Sequence, residues 1–185
     1  IMKRAIALLE KHNLLKIISD ELDINLEIPH IAYVEVKKAD SKAILFTNVV
    51  DRKNGKKFKE PVLMNVFCNE AAVKLFIGDG DKIGSEIESL LKLKPPVTFS
   101  EKLSTLGKLF SLKNTIPKKI KGKGICQEVI KLGADAKLSD LPVIKTWEDD
   151  AGPFITMGQV YTQSLNGELK NLGMYRLQVF EDNTL

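Results

Sequence analysis

Between Glu101 and Glu128 the chain carries seven lysines and no acidic residue, and this stretch separates two parts of different character. The lysines are Lys102, Lys108, Lys113, Lys118, Lys119, Lys121 and Lys123. The 185-residue chain has a net charge of +4; without these seven lysines the remainder is net −3, so the whole positive excess lies here. A run of one charge sign repels itself and reads as a solvated connector between folded units. The competing reading is a nucleic-acid or phosphate-binding patch, a module using Lys102 to Lys123. Phe110 is the only aromatic residue in the stretch and arginine is absent, whereas single-strand binders combine charge with stacking platforms. The connector is the better fit, and no nucleic-acid partner is expected.

On the N-terminal side helix and strand patterns alternate. Met2, Ile6 and Leu9 recur at four- and three-residue spacing and predict a helix. Residues 14–18 predict an extended segment, with Ser19-Asp20 as a cap for the next element. The apolar run over 26–36 holds Pro29, which a first helical turn accepts. Residues 43–46 predict a strand, and 61–66 a second one. Between them, Asn54-Gly55 supplies the positive φ of a tight turn. Asn69 is an N-cap candidate for a helix through Phe76, and 82–91 predict another helix, closed by Pro95-Pro96. The intervening Gly78, Gly80 and Gly84 are spaced one residue off the dinucleotide pattern, and no Lys-Ser/Thr pair succeeds them. Asp79 and Asp81 lack the rest of a calcium loop, so residues 78–84 read as a helix–helix turn.

Beyond the lysines the pattern becomes all-β. Residues 126–130 read as extended, and 138–142 and Gly152-Pro153 as turns. Residues 155–163 and 174–180 read as two strands joined by a hairpin containing Asn166-Gly167. No helix is predicted between Gly124 and Leu185. A two-stranded hairpin is marginal by itself, so partners are expected from further sequence or from another chain, the latter making this an assembly domain. The expected class is α+β: an α/β domain over 1–100, a connector over 101–124 and the start of a β domain over 125–185.

Composition removes several classes. With 44% hydrophobic and 28% charged residues the chain is globular in type, not disordered. Two cysteines exclude a disulfide scaffold and a four-cysteine zinc site. No apolar run approaches the ~20 residues of a membrane helix, and the opening residues contain no signal-peptide core. A cytoplasmic location is the default expectation.

Few side chains suggest chemistry. His12 and His30 read as surface or packing residues, Cys68 and Cys126 as small core hydrophobes, and Trp147 as core packing. Glu148-Asp149-Asp150 is either a cation site or three solvated carboxylates. Arg176 is more informative, being one of three arginines against 25 lysines. It interrupts a strand of Met174, Tyr175, Leu177 and Val179. A permanent charge there requires an anionic partner or a solvent-filled cleft, and its planar fork suits a carboxylate or phosphate. An arginine on the open face of a sheet is the plainer alternative.

Taken in order, Asp140-Leu141-Pro142, Trp147, Asp150-Ala151-Gly152-Pro153-Phe154-Ile155-Thr156 and Asn171-Leu172-Gly173-Met174-Tyr175-Arg176-Leu177-Gln178-Val179 resemble the UbiD family of prenylated-flavin-dependent decarboxylases. Cys126-Gln127-Glu128-Val129, Leu8-Leu9-Glu10-Lys11-His12 and Leu26-Glu27-Ile28 extend the resemblance over essentially the whole chain. The chain is nevertheless well under half of a family member. The resemblance implies an N-terminal α/β domain leading into a split β-barrel. It also implies non-oxidative decarboxylation of an aromatic or α,β-unsaturated acid by prenylated FMN, held with a manganese and a potassium ion. By position, Asn171 resembles the family's metal ligand, while Thr156, Met174, Tyr175 and Arg176 match cofactor-lining positions. Arg176 also matches the arginine that contacts the substrate carboxylate and pairs with a catalytic glutamate. The Asn-Leu-Gly-x-Tyr-Arg form resembles the quinone-pathway branch, implying 4-hydroxy-3-polyprenylbenzoate or a related ubiquinone or menaquinone precursor as substrate. It further implies homo-oligomerisation and association with a membrane surface through the lipophilic substrate. The other catalytic acids and metal ligands are expected beyond Leu185, so the isolated chain is expected to be inactive.

Asn171 and Arg176 lie five residues apart, roughly 16 Å along a strand. That separation is comparable to the distance from a flavin's phosphate to its ring. The odd offset directs them to opposite faces, so a shared site predicts a bulge or bend near Gly173. Uninterrupted alternation through 171–176 counts against such a site.

Overall fold

The computed structural model describes residues 2–92, 121–181 and 183–185. Most of the lysine-rich stretch and Pro95-Pro96 therefore lie outside the described residues. The chain forms two compact units, residues 1–76 with 132–185, and residues 77–131. Helices and strands mix as expected for the α+β class.

The first unit opens with α1 (Met2–Lys11), β1 (Leu15–Asp23), α2 (Glu27–Val36) and β2 (Ala43–Asp51). β1 and β2 run parallel, from Leu15 opposite Ala43 to Asp23 opposite Val50, with α2 as the crossover between them. Two short strands, β3 (Lys56–Lys57) and β4 (Val62–Met64), pair antiparallel with β2. β2 is therefore central. Its first four residues are all buried, the pattern of a strand covered on both faces. Ile44, Phe46 and Val49 pack with Ile28 of α2 and with Phe58. Ala43 packs with Leu9 of α1, Cys68 and Ala72. Pro29 sits in the first turn of α2, as its fixed φ favours, and Gly55 adopts φ +62° in the expected turn.

Ser19-Asp20 caps no helix. The pairing steps from Ile18–Phe46 to Glu21–Asn48, so two residues of β1 stand opposite Thr47 alone. The pair is a β-bulge within one longer strand, with the Thr47 hydroxyl donating to the Ile18 carbonyl at 3.3 Å. Helix α3 (Glu70–Ile77) begins where expected. Asn69 Oδ1 accepts from the Ala72 N–H at 2.9 Å, while its amide donates to the Ser41 carbonyl at 2.7 Å.

Residues 132–185 join this unit through backbone pairing. Asn25 and Lys145 form a parallel bridge. The Leu26 N–H donates to the Lys145 carbonyl at 3.1 Å, and the Lys145 N–H to the Ile24 carbonyl at 3.1 Å. Lys56 adds a side-chain tie to Asp140 at 3.1 Å. The chain ends in β5 (Phe154–Gln163) and β6 (Lys170–Gln178), an antiparallel hairpin whose turn places Gly167 at φ +75°. β6 starts four residues earlier than the pattern indicated.

The second unit contains α4 (Gly80–Leu91). Asp79 Oδ1 accepts from the N–H groups of Asp81 and Lys82 and caps α4, so the helix–helix turn read over 78–84 shrinks to Gly78 and Asp79, and α4 starts two residues before the predicted 82. Residues 126–130 are not extended: a 3-10 turn occupies Ile125–Gln127, and Cys126 is exposed, not a core residue. Two further 3-10 turns, Gly133–Asp135 and Leu138–Asp140, qualify the expectation of no helix in this half. Among the described residues no helix is long and apolar enough to cross a membrane.

Candidate functional site

The β5–β6 hairpin carries every candidate side chain. From Gln163–Lys170 to Gly158–Tyr175 the pairing is regular, so Asn171, Gly173 and Tyr175 share one face and Leu172, Met174 and Arg176 the other. The bend predicted at Gly173 is absent. The register instead shifts between Ile155–Leu177 and Gly158–Tyr175, leaving Thr156 and Met157 opposite Arg176 alone. The bulge thus lies on the facing strand and groups Thr156 with Arg176, whereas Asn171 points away from both.

Gly173 has a different use. A Cβ there would lie 2.4 Å from the Tyr175 ring. The missing side chain admits the ring directly over the backbone, the close approach that a strand glycine permits. Tyr175 thereby leans back along β6, and its hydroxyl meets the Asn171 amide at 3.4 Å.

Arg176 finds the anionic partner its charge requires. Its Nη2 donates to Asp150 Oδ2 at 2.7 Å, and the guanidinium carbon lies 3.8 Å from the centroid of the Phe154 ring. The Asp150 side chain is 12% exposed and that of Arg176 45%. Asp150 also accepts from the Trp147 N–H at 3.2 Å. The Arg176 hydrogen bond, then the Trp147 N–H, hold the Asp150 carboxyl below the usual carboxylate range, against the opposing effect of partial burial. Of the acidic triplet 148–150, this residue is not merely solvated but paired with Arg176. The signal in the sequence was a lone strand arginine together with an acid just before the Gly-Pro turn.

Beside Arg176 the same face is apolar and open: Tyr161, Leu172 and Met174 are 59%, 67% and 68% exposed. Such a row can accept a flat ring system, with Arg176 at its edge to hold an anion. Trp147, expected in the core, is half-exposed and stands edge-on to Tyr33 at 5.3 Å, lining a shallow groove with Leu26, Pro29 and His30.

A metal centre does not fit the residues present. Among the described residues no group of three or more His, Cys, Asp or Glu could hold an ion, and Asn171 alone offers one neutral oxygen where manganese takes about six.

Residues 6–91 match the family model of the 3-octaprenyl-4-hydroxybenzoate carboxy-lyase N-terminal domain, and residues 118–185 that of the Rift-related domain of the same enzyme. A Helicobacter pylori protein described as uncharacterized is 43% identical over 189 residues, covering all of this chain and 30% of its own length. An Aquifex aeolicus protein, also described as uncharacterized, is 37% identical over 96% of this chain and 35% of its own. The chain thus spans about a third of the length of these relatives. Among solved structures, the vanillic acid decarboxylase of Sedimentibacter hydroxybenzoicus in closed form superposes with a TM-score of 0.68 at 19% identity, over 98% of this chain and 35% of that one. The UbiD-class enzyme HmfF of Pelotomaculum thermopropionicum, an evolved dimeric form in complex with prFMN, gives 0.60 at 21% identity, over 98% and 36%. At these identities the superpositions establish a shared fold.

Proposed function

This chain belongs to the UbiD family of carboxy-lyases, and on that premise we propose that it forms the N-terminal part of a decarboxylase acting on an aromatic or α,β-unsaturated carboxylic acid with prenylated FMN. The observation that carries the reading is Arg176: a half-exposed guanidinium, already oriented, at the edge of an open apolar face. Such an arrangement grips a carboxylate through charge-assisted hydrogen bonds while the apolar row receives the rings.

Loss of CO₂ from such an acid leaves an unstabilised sp² carbanion, and prenylated FMN, when bound, supplies the electron sink this requires. Met174 and Arg176 would line the ring on one face of β6, with Thr156 opposite Arg176 across the bulge. Tyr175 and Asn171 lie on the other face. The uninterrupted alternation through 171–176 counts against a single site that holds both Asn171 and Arg176.

The family model's own name and the lipid-compatible apolar face favour 4-hydroxy-3-polyprenylbenzoate, a quinone precursor, as substrate. A homo-oligomeric enzyme touching the membrane surface to collect it belongs to the same reading. The rest of the protein would complete the β-barrel that the hairpin begins.

The test is release of CO₂ from 4-hydroxy-3-polyprenylbenzoate, and from shorter hydroxybenzoates, by the full-length protein reconstituted with prenylated FMN. Activity that Arg176→Lys abolishes supports the proposal. An active enzyme indifferent to Arg176→Lys refutes the role given to this residue. No decarboxylation of any aromatic or unsaturated acid offered refutes the function.

A further inference from the structure

We infer that Asp150 and Phe154 are positioning residues that fix the plane of the Arg176 guanidinium and present its unused donors to a carboxylate ligand. The inference rests on the proposed function, because it concerns the residue assigned there to grip the substrate.

A guanidinium has five N–H donors in one plane. Asp150 engages Nη2 at 2.7 Å, and among the described residues no other hydrogen bond to the group is formed. One face is covered by the Phe154 ring at 3.8 Å. An edge contact and a face contact together remove the rotations that an arginine on four flexible torsions would otherwise keep. Nε and Nη1 then point in a direction set before any ligand arrives, which lowers the ordering cost of a bidentate pair.

The positioning side chains are themselves fixed. Asp150 is mostly buried and receives the Trp147 N–H. Phe154 begins β5, with its N–H donated to the Ile144 carbonyl at 3.0 Å and its neighbour Pro153 accepting from the Val179 N–H at 2.9 Å. The bulge at Thr156–Met157 gives Arg176 two opposing residues instead of one. Asp150 could act oppositely, as a competitor that occupies Arg176 in place of the ligand. One contact at 2.7 Å, with the other donors unengaged, favours orientation over competition.

The two roles predict opposite signs. The experiment measures binding of 4-hydroxybenzoate, used as a carboxylate probe, to the full-length protein by calorimetry, with and without prenylated FMN. The proteins are wild type, Asp150→Asn, Asp150→Glu, Phe154→Leu and Arg176→Lys. Orientation predicts that Asp150→Asn weakens binding by about tenfold, the scale of one charge-assisted hydrogen bond. Asp150→Glu recovers most of that loss, and Phe154→Leu weakens binding by about three- to tenfold. Side-chain ¹⁵N spectra should show rotation about the Arg176 Cζ–Nη bonds slowed in wild type and fast in Asp150→Asn. This readout needs no activity and reports whether Asp150 holds the guanidinium; the binding series then tells orientation from a merely structural ion pair, which would leave probe affinity unchanged.

Unchanged or tighter binding by Asp150→Asn overturns the inference while leaving the function intact, provided Arg176→Lys still abolishes binding. If Arg176→Lys binds the probe as wild type does, the functional reading itself has failed. Should Asp150→Asn be unfolded by circular dichroism, Phe154→Leu and the wild-type spectra decide the matter.

Discussion

The hairpin's open faces make a quantitative prediction about where apolar side chains contribute to stability. Phe46 in β2 and Met174 in β6 are both apolar strand residues, yet their exposures are 0% and 68%. Removing Phe46 deletes a fully buried ring among Ile28, Ile44, Val49 and Phe58, so Phe46→Ala costs about 3–5 kcal/mol. Full burial of a side chain like Met174 is worth about 1.5–3 kcal/mol, and one-third burial scales this to roughly 0.5–1. In a protein of residues 1–185, with a urea slope of ~2 kcal/mol per molar, Phe46→Ala should move the midpoint by about 2 M. Met174→Ala and Leu172→Ala should each move it by about 0.5 M or less. Equal midpoint shifts for Met174→Ala and Phe46→Ala in residues 1–185 would refute the open-face reasoning. Sedimentation on the same samples distinguishes cover by self-association.

Gly173→Ala should expel the Tyr175 ring, since the new methyl would sit 2.4 Å from it; loss of ring-current shifts at residue 173 in the proton spectrum reports the change, and wild-type-like shifts in the variant contradict it. Asn69→Ala removes both the cap of α3 and the hold on the Ser41 carbonyl, costing about 1–2 kcal/mol in thermal or urea unfolding. The carboxyls of Glu27, Glu35 and Asp150 all lie below their ordinary values, held mainly by the Asp23 N–H, Lys38 and Arg176 respectively. Their contribution is therefore present above the unfolded carboxyl range of about 4 and is lost as pH falls through the lower native values. The urea midpoint should decline below about pH 4.5, less steeply in Asp150→Asn, and a midpoint rising on acidification would contradict the assignment.

How much was legible in the sequence depends on how local the physics is. Asn69, Pro29, Asn54-Gly55 and Asn166-Gly167 act on their own backbone neighbours, so the caps and turns they form appeared where predicted. Ser19-Asp20 failed because the same short polar pair serves a helix cap or a bulge, and the choice lies with Thr47 on the facing strand. Gly173 failed similarly. A strand glycine signals either a bend or a close approach, and the Tyr175 ring, not the backbone, took the space. At the candidate site, the need of Arg176 for an anion was legible from its charge alone. That the anion is Asp150 was not, because 26 residues separate them and only the hairpin and the Gly152-Pro153 turn bring them together. Trp147 misled because size suggests a core, whereas its indole stands beside Tyr33 at a groove.

The bridge between Asn25 and Lys145 has a consequence in time. About 120 residues separate the two. At the ~5–20 residues per second of synthesis, the edge of β1 waits roughly 6–24 s for the segment that completes it. Loop closure, in contrast, depends only logarithmically on length, each doubling costing ~0.6 kcal/mol. That term concerns closure alone: α2, β2, β3 and β4 lie between the two and cannot be shortened without loss of the core. The order of events is far more constrained: residues 1–76 cannot close their sheet edge until the chain beyond the lysines has been made.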